Sequence, residues 1–356
     1  QLRTGADVPT PSRCHRRHFR AKSVYPALRC STMEGLCTVP KITVALPTPF
    51  DEDQVDVPGL ERMAGWVKEQ GVNSVIAAGT TGEFAGMTFA ERVLVLEATR
   101  RGLGVDGFLF ANVSACCVDD AVQLARDAVR SNARPDALLL LPPFYHAPFS
   151  PAINAAGVEA FFRKFFNRLP RRFEADCAPG AERRVPPVFL YTFAWHTQQP
   201  ISAEVYGRLC AEFPDRIAGV KASGMGLEQA QQFSLAAPGR AVLVGNGRIN
   251  LDVLKAGLHV VSGDGVPVCW ALSKLLRLVE ANELGRAAAV QQALIRAWRG
   301  CVDKYDEIAA DKAAFAKILR VSTKFETRPP LVPLAEAEAV DIQQAVEKLF
   351  AEVQAA

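Results

Sequence analysis

The chain has 356 residues, 49% hydrophobic and 22% charged, with a mean hydropathy of +0.07. This excludes a disordered, collagen-like or disulfide-framework protein and leaves enough apolar side chain for a large core. Its 41 Lys and Arg against 38 Asp and Glu give a net charge of +3, yet residues 1–40 alone hold seven basic and two acidic side chains. That stretch carries +5, so the remainder carries −2 and offers no basic surface for nucleic acid.

Residues 1–32 are rich in Arg, Ser, Thr and Pro and lack apolar periodicity. A transit peptide fits this composition, and so does an upstream leader ahead of Met33. Residues 1–40 are read as a basic N-terminal extension outside the fold. No apolar run approaches the roughly 18–20 residues that a membrane-spanning helix needs; the densest, Ala137–Leu141, stops at Pro142-Pro143. No membrane partner is expected. The nine cysteines contain no C-x-x-C pair and read as reduced thiols. The expected compartment is the cytoplasm, or a mitochondrion or plastid if residues 1–32 are a transit peptide.

From Lys41 onward a short aliphatic run, a loop and a segment of helical spacing repeat. Ile42–Leu46 is the first predicted strand. Asp56 caps a helix in which Leu60, Met63, Ala64 and Val67 share a face, and Gly71 follows its end. Ser74–Ala78 is the second strand, and Thr88-x-x-Glu91 is a capping box opening a helix to about Arg101. Phe108–Asn112, a helix over Val118–Ser131, Ala137–Leu141 and a helix over Gly157–Asn167 come next. The stretch Arg168–Pro187, with five Arg and four Pro, breaks the rhythm and reads as a solvated surface insertion. Val188–Tyr191, Ile217–Lys221, Val242–Gly245 and His259–Ser262 complete eight strands, with helices over Ala203–Phe213, Leu227–Ala236 and Asn250–Ala256 between them.

Eight runs too apolar to face water on one side predict parallel strands covered by helices. A TIM (β/α)8 barrel over residues 41–270 is the simplest closure, with a doubly wound open sheet as the alternative; no G-x-G-x-x-G or P-loop follows the first strand. Residues 271–356 are predicted as a C-terminal helical appendage, with helices over Leu272–Ala281, Arg286–Glu307, Lys312–Arg320 and Ile342–Val353.

Barrel enzymes place their chemistry at the C-terminal ends of the strands. Those ends carry Gly79-Thr80-Thr81-Gly82-Glu83, Phe144-Tyr145, Tyr191 and Lys221, which predicts four hydroxyls and one amine at one mouth. Lys221 ends the apolar run Ile217–Val220, where poor hydration disfavours the ammonium and frees an amine for attack on a carbonyl. The plainer alternative pairs Lys221 with an acid such as Glu83, or turns it outward. Tyrosine linked to other hydroxyls can shuttle the protons that Schiff-base chemistry moves, and the Gly-Thr-Thr-Gly turn offers a seat for a carboxylate. The histidines include no H-E-x-x-H pattern and no paired helical spacing, so neither a metal nor any other cofactor is expected. His146 and His196 fall near the mouth, as rim residues or as substrate ligands.

Taken together, Gly79-Thr80-Thr81-Gly82-Glu83, Leu141-Pro142-Pro143-Phe144-Tyr145, Phe189-Leu190-Tyr191 and Gly219-Val220-Lys221-Ala222-Ser223 resemble the dihydrodipicolinate synthase / N-acetylneuraminate lyase family of class I aldolases. The resemblance runs from about Lys41 to the C-terminus and includes Arg328-Pro329-Pro330-Leu331. It implies a pyruvate-handling (β/α)8 barrel, usually a homotetramer built as a dimer of dimers. It makes Lys221 the Schiff-base lysine, Tyr191 the proton-transfer tyrosine, Thr80 the middle of a hydroxyl relay, and Tyr145 its far member, reaching a neighbouring subunit's site. Thr81 would hold the pyruvate carboxylate, with Gly245 and Val261 lining the pocket.

The departures bear on the second substrate. Dihydrodipicolinate synthases carry an arginine five residues after the tyrosine, for the carboxylate of aspartate semialdehyde; this chain has His196 there, and a neutral imidazole cannot replace a bidentate guanidinium. Trp195 adds aromatic bulk beside it. The expected reaction is therefore dihydrodipicolinate synthase-like condensation of pyruvate with an aldehyde, or the aldol cleavage of N-acetylneuraminate, a 2-keto-3-deoxy sugar acid or 4-hydroxy-2-oxoglutarate. A silent barrel that only binds an oxo acid is the non-enzyme alternative.

Overall fold

The computed structural model describes residues 38–145, 151–174, 182–263, 265–319 and 326–356. The N-terminal extension up to residue 37 and His146 lie outside them. Eight parallel strands close into a barrel: β1 (Ile42–Ala45), β2 (Ser74–Ala77), β3 (Phe108–Asn112), β4 (Ala137–Leu140), β5 (Val188–Thr192), β6 (Ile217–Ser223), β7 (Ala241–Gly245) and β8 (His259–Ser262). Each pairs with its chain neighbours, and β1 meets β8 to shut the seam, with Ile42 beside Val260 and Thr43 beside Val261. The open-sheet alternative is thereby excluded. Strands β2 and β4 are buried along their whole length, as continuous apolar runs covered by helices must be.

The helices over the barrel are α1 (Val57–Glu69), α2 (Phe89–Leu103), α3 (Val118–Arg130), α4 (Pro151–Arg168), α5 (Ala203–Glu212), α6 (Leu227–Ala236) and α7 (Asn250–Lys255). Their starts follow the cap chemistry in the sequence. Asp56 accepts from the Gly59 N–H at 2.8 Å, and Thr88 with Glu91 forms a complete capping box. Beyond the barrel come α8 (Cys269–Glu280), α9 (Leu284–Ala293), α10 (Glu307–Ile318) and α11 (Glu336–Ala355). Barrel and C-terminal helices belong to one packed unit.

Three expectations need correction. Strand β6 does not end at Lys221 but continues to Ser223, so the lysine sits inside the strand. The Arg168–Pro187 stretch is more than a solvated insertion: Arg172–Glu174 and Glu182–Arg184 pair as an antiparallel hairpin, with Phe173 and Val185 buried. Its Arg183 Nη1 donates to the carbonyls of Val129, Arg130 and Ser131 at 2.6–3.0 Å, satisfying the open C-terminal end of α3. The single helix expected over Arg286–Glu307 breaks in two. Past α9 the chain widens into π-type turns over Leu294–Arg299, which bury Trp298, and Asp306 then caps α10 by accepting from the Ile308 and Ala309 N–H groups.

Candidate active site

The depth of the site is set one layer below it. Phe189 on β5 lies beside Gly219 on β6, and its ring meets Phe110 of β3 edge-on at 5.1 Å. A Cβ on Gly219 would fall 2.5 Å from the Phe189 ring and 2.2 Å from the Ala241 carbonyl oxygen, so only glycine admits this floor. Strand alternation then puts Tyr191 and Lys221, two residues further along each strand, directly above the phenylalanine layer.

Tyr191 and Lys221 are adjacent in register, and the Lys221 Nζ stands 3.9 Å from the centre of the Tyr191 ring. Lys221 is 4% exposed and Tyr191 1%. The Tyr191 hydroxyl shares a 3.3 Å hydrogen bond with Thr80 Oγ1 and accepts a long one, 3.5 Å, from Ser223 Oγ. Because Thr80 belongs to the loop after β2, on the far side of the barrel from β5, these contacts run through the barrel interior. Ser223 donates to Tyr191, and the Tyr191–Thr80 bond can run either way, so the three hydroxyls form one continuous line.

Among the described residues Lys221 makes no ion pair, and the acid that could have paired with it is engaged elsewhere: Glu83 accepts from Lys312, a residue of α10. Thr81 is buried, and the end of β8 comes so close that a Cβ on Gly263 would lie 2.6 Å from its Oγ1. Val261 is buried on β8, and Gly245 ends β7 where a side chain would strike Ser223 Oγ at 2.7 Å. The structure thus brings Lys221, Tyr191 and Thr80 together, with Ser223 as a member that the sequence reading left without a role. Tyr145, in the loop after β4, is 83% exposed.

His196 lies in the short helix Ala194–Thr197 after β5, its ring edge-on to Phe193 at 4.3 Å. Partial burial holds its imidazole below the ordinary range, the positive charge of a protonated Lys221 pushes the same way, and Asp306 opposes them. His196 is therefore within electrostatic reach of both Lys221 and the N-cap of α10. The rings of Tyr191, Phe193 and Trp195 follow one another from the site outward at 6.1 and 6.3 Å, ending on a largely exposed Trp195. Among the described residues no three His, Cys, Asp or Glu side chains cluster as metal ligands, and no helix is long and apolar enough to cross a membrane.

A closed parallel barrel that buries a lysine amine beside a line of hydroxyls at its C-terminal mouth has the architecture of a barrel enzyme. The chain belongs to the dihydrodipicolinate synthetase family, whose model matches residues 38–165 and 181–349, and with that family it is a lyase. An uncharacterized DapA-like lyase of Chloroflexus aurantiacus is 29% identical over 316 residues, 87% of this chain and 97% of the relative. A 4-hydroxy-tetrahydrodipicolinate synthase of Chlorobaculum parvum is 26% identical over 86% of this chain and 96% of its own length. The solved 4-hydroxy-tetrahydrodipicolinate synthase of Methylacidiphilum fumariolicum SolV shares the fold, with a TM-score of 0.75 at 21% identity over 89% of this chain and 98% of that one.

Proposed function

We propose that the protein is a Schiff-base aldolase joining pyruvate or a related 2-oxo acid to an aldehyde, or cleaving such an adduct. One observation carries this reading: the buried Lys221 amine, free of any acid partner among the described residues, set over a tyrosine whose hydroxyl is linked to Thr80 and Ser223. The neutral amine adds to the C2 carbonyl, and the carbinolamine loses water to give a protonated imine. Loss of a C3 proton gives the enamine, whose C3 forms the new bond to the aldehyde carbon while the aldehyde oxygen takes up a proton. Hydrolysis of the imine returns the lysine and releases a 4-hydroxy-2-oxo acid. Tyr191 carries these protons and Thr80 exchanges them. Thr81 is the seat for the substrate carboxylate, with Gly245 and Val261 lining the pocket. Tyr145 is assigned to the neighbouring subunit's site of a tetramer, which accounts for its exposure here.

The mouth favours an aldehyde that ends in hydroxyls over one that ends in a carboxylate. His196 stands where an arginine would be needed, Asp306 lies nearby, and Glu307 approaches Gly263. Arg299 is engaged with Asp303 at 2.9 Å and Glu307 at 3.2 Å. Cleavage of a 2-keto-3-deoxy sugar acid fits this lining. Synthesis of 4-hydroxy-tetrahydrodipicolinate is the second reading, favoured by the name of the Chlorobaculum relative.

Borohydride reduction in the presence of pyruvate is expected to add the reduced pyruvyl mass to the peptide holding Lys221; an unmodified lysine overturns the reading. An aldehyde panel separates the two substrates. His196→Arg is expected to gain activity with aspartate semialdehyde and to lose it with a hydroxyaldehyde, and an unchanged ratio removes His196 from the aldehyde site.

A further inference from the structure

The turn that presents Thr80 and Thr81 is held by residues outside it. Asn112 Nδ2 donates to the Ala78 carbonyl at 2.7 Å, and Thr48 Oγ1 to the Gly82 carbonyl at 2.9 Å. The buried Arg92 donates through Nε and Nη2 to the Phe84 carbonyl at 3.2 and 2.9 Å. The remaining anchor is Glu83, a non-glycine residue at φ 59° whose own N–H closes the turn on the Thr80 carbonyl at 2.9 Å.

The Glu83 carboxylate is reached from the other end of the chain. It accepts from Lys312 Nζ on α10 and from the Arg328 N–H at 2.9 Å, with side-chain exposures of 5% for Glu83 and 1% for Lys312. Lys312 also donates to the Glu326 carbonyl at 2.6 Å and lies 4.5 Å from the Phe50 ring centre; the Arg328 guanidinium lies 4.2 Å from the same ring. Such a pair is a poor source of stability, because desolvating both ions costs what their attraction returns, and apolar residues of similar volume often serve as well. What an apolar pair would lack is direction: a charged pair with fixed donors holds Glu83, and through it the turn, in one place.

We infer that Lys312 is a positioning residue: through Glu83 it fixes the turn that sets Thr80 against Tyr191 and Thr81 against the substrate carboxylate. Helix α10 thereby governs a proton relay that it does not touch. This rests on the roles proposed above for Lys221, Tyr191 and the two threonines.

The test uses the full chain and follows three quantities: borohydride trapping of pyruvate on Lys221, exchange of the pyruvate C3 protons in D2O by NMR, and KM for pyruvate. Lys312→Met leaves Glu83 as an unpaired buried carboxylate and is expected to unfold readily. The informative variant is the double substitution Glu83→Gln with Lys312→Met, which removes both charges together. It is expected to stay folded and still to trap pyruvate, while C3 exchange falls about ten- to a hundred-fold and KM rises. Glu83→Gln alone keeps the side chain's shape and an acceptor for the Arg328 N–H but leaves Lys312 as an unpaired buried cation, so it is expected to lose stability as well as to show the same split. Wild-type exchange and KM in either folded variant overturn the inference. Absence of an adduct in the wild-type chain instead removes the underlying reading of the site, so the two failures are distinct.

Discussion

Tyr191 has two parts that a single substitution separates. Its ring is the surface over which the Lys221 amine lies, and its hydroxyl is the junction between Ser223 and Thr80. Tyr191→Phe keeps the first and removes the second. The expected outcome is an enzyme that still traps pyruvate on Lys221 but whose kcat falls by about 10²–10⁴-fold, the usual range for losing a positioned proton donor. An unchanged kcat would show that protons move by another route. The site's residues differ in how far the sequence exposes them. Lys221 and Tyr191 are visible because each puts a polar group into an otherwise apolar run. Ser223 follows Lys221 by two residues, so alternation puts it on the same face; ending the strand at Lys221 hid it. Lys312 carries no such signal. It reads as one cation of an ordinary helix, and its partner is 229 residues away, a distance that only the closed fold bridges.

At the scale of elements, the eight barrel strands were legible because a strand covered on both faces has to be apolar throughout. The hairpin between α4 and β5 was not. Its strands, Arg172–Glu174 and Glu182–Arg184, are three residues each and mostly charged, with too few apolar positions to show a period of two. What holds it is tertiary: Phe173 is buried against α3 with Arg126 over its ring at 5.5 Å, and Arg183 donates to three carbonyls. The break after α9 was hidden for a similar reason, since Leu294–Arg299 keeps a helical apolar pattern while its turns widen. Arg183→Ala leaves the end of α3 without those donors. The expected loss is about 1–3 kcal/mol, read as a lower urea midpoint, with the pyruvate adduct unaffected because the hairpin lies away from Lys221. A midpoint equal to wild type would mean that water replaces the guanidinium at no cost.

The whole molecule depends on closure of the barrel, and the seam between β1 and β8 carries a titratable group. His259, on β8, places its Nδ1 3.0 Å from the Pro40 carbonyl oxygen just ahead of β1. That oxygen can only accept, so Nδ1 holds the proton and the neutral ring joins the two strands. Burial pushes the imidazole down to about 4, and the adjacent Lys41 adds to the shift, while the bond to Pro40 opposes it. The folded state thus prefers the neutral ring, whereas the unfolded chain binds a proton near 6.5. The sign follows: the contribution is complete above about pH 6.5 and is lost progressively as the pH falls toward 4, up to about 3 kcal/mol from this one residue. His259→Gln keeps an N–H donor for Pro40 and does not titrate. Urea midpoints at pH 7 and pH 4.5 should therefore fall more in the wild-type chain than in the variant, the difference between the two isolating His259 from the carboxylates that both proteins share. Parallel losses in the two proteins would place the acid sensitivity elsewhere than at the seam.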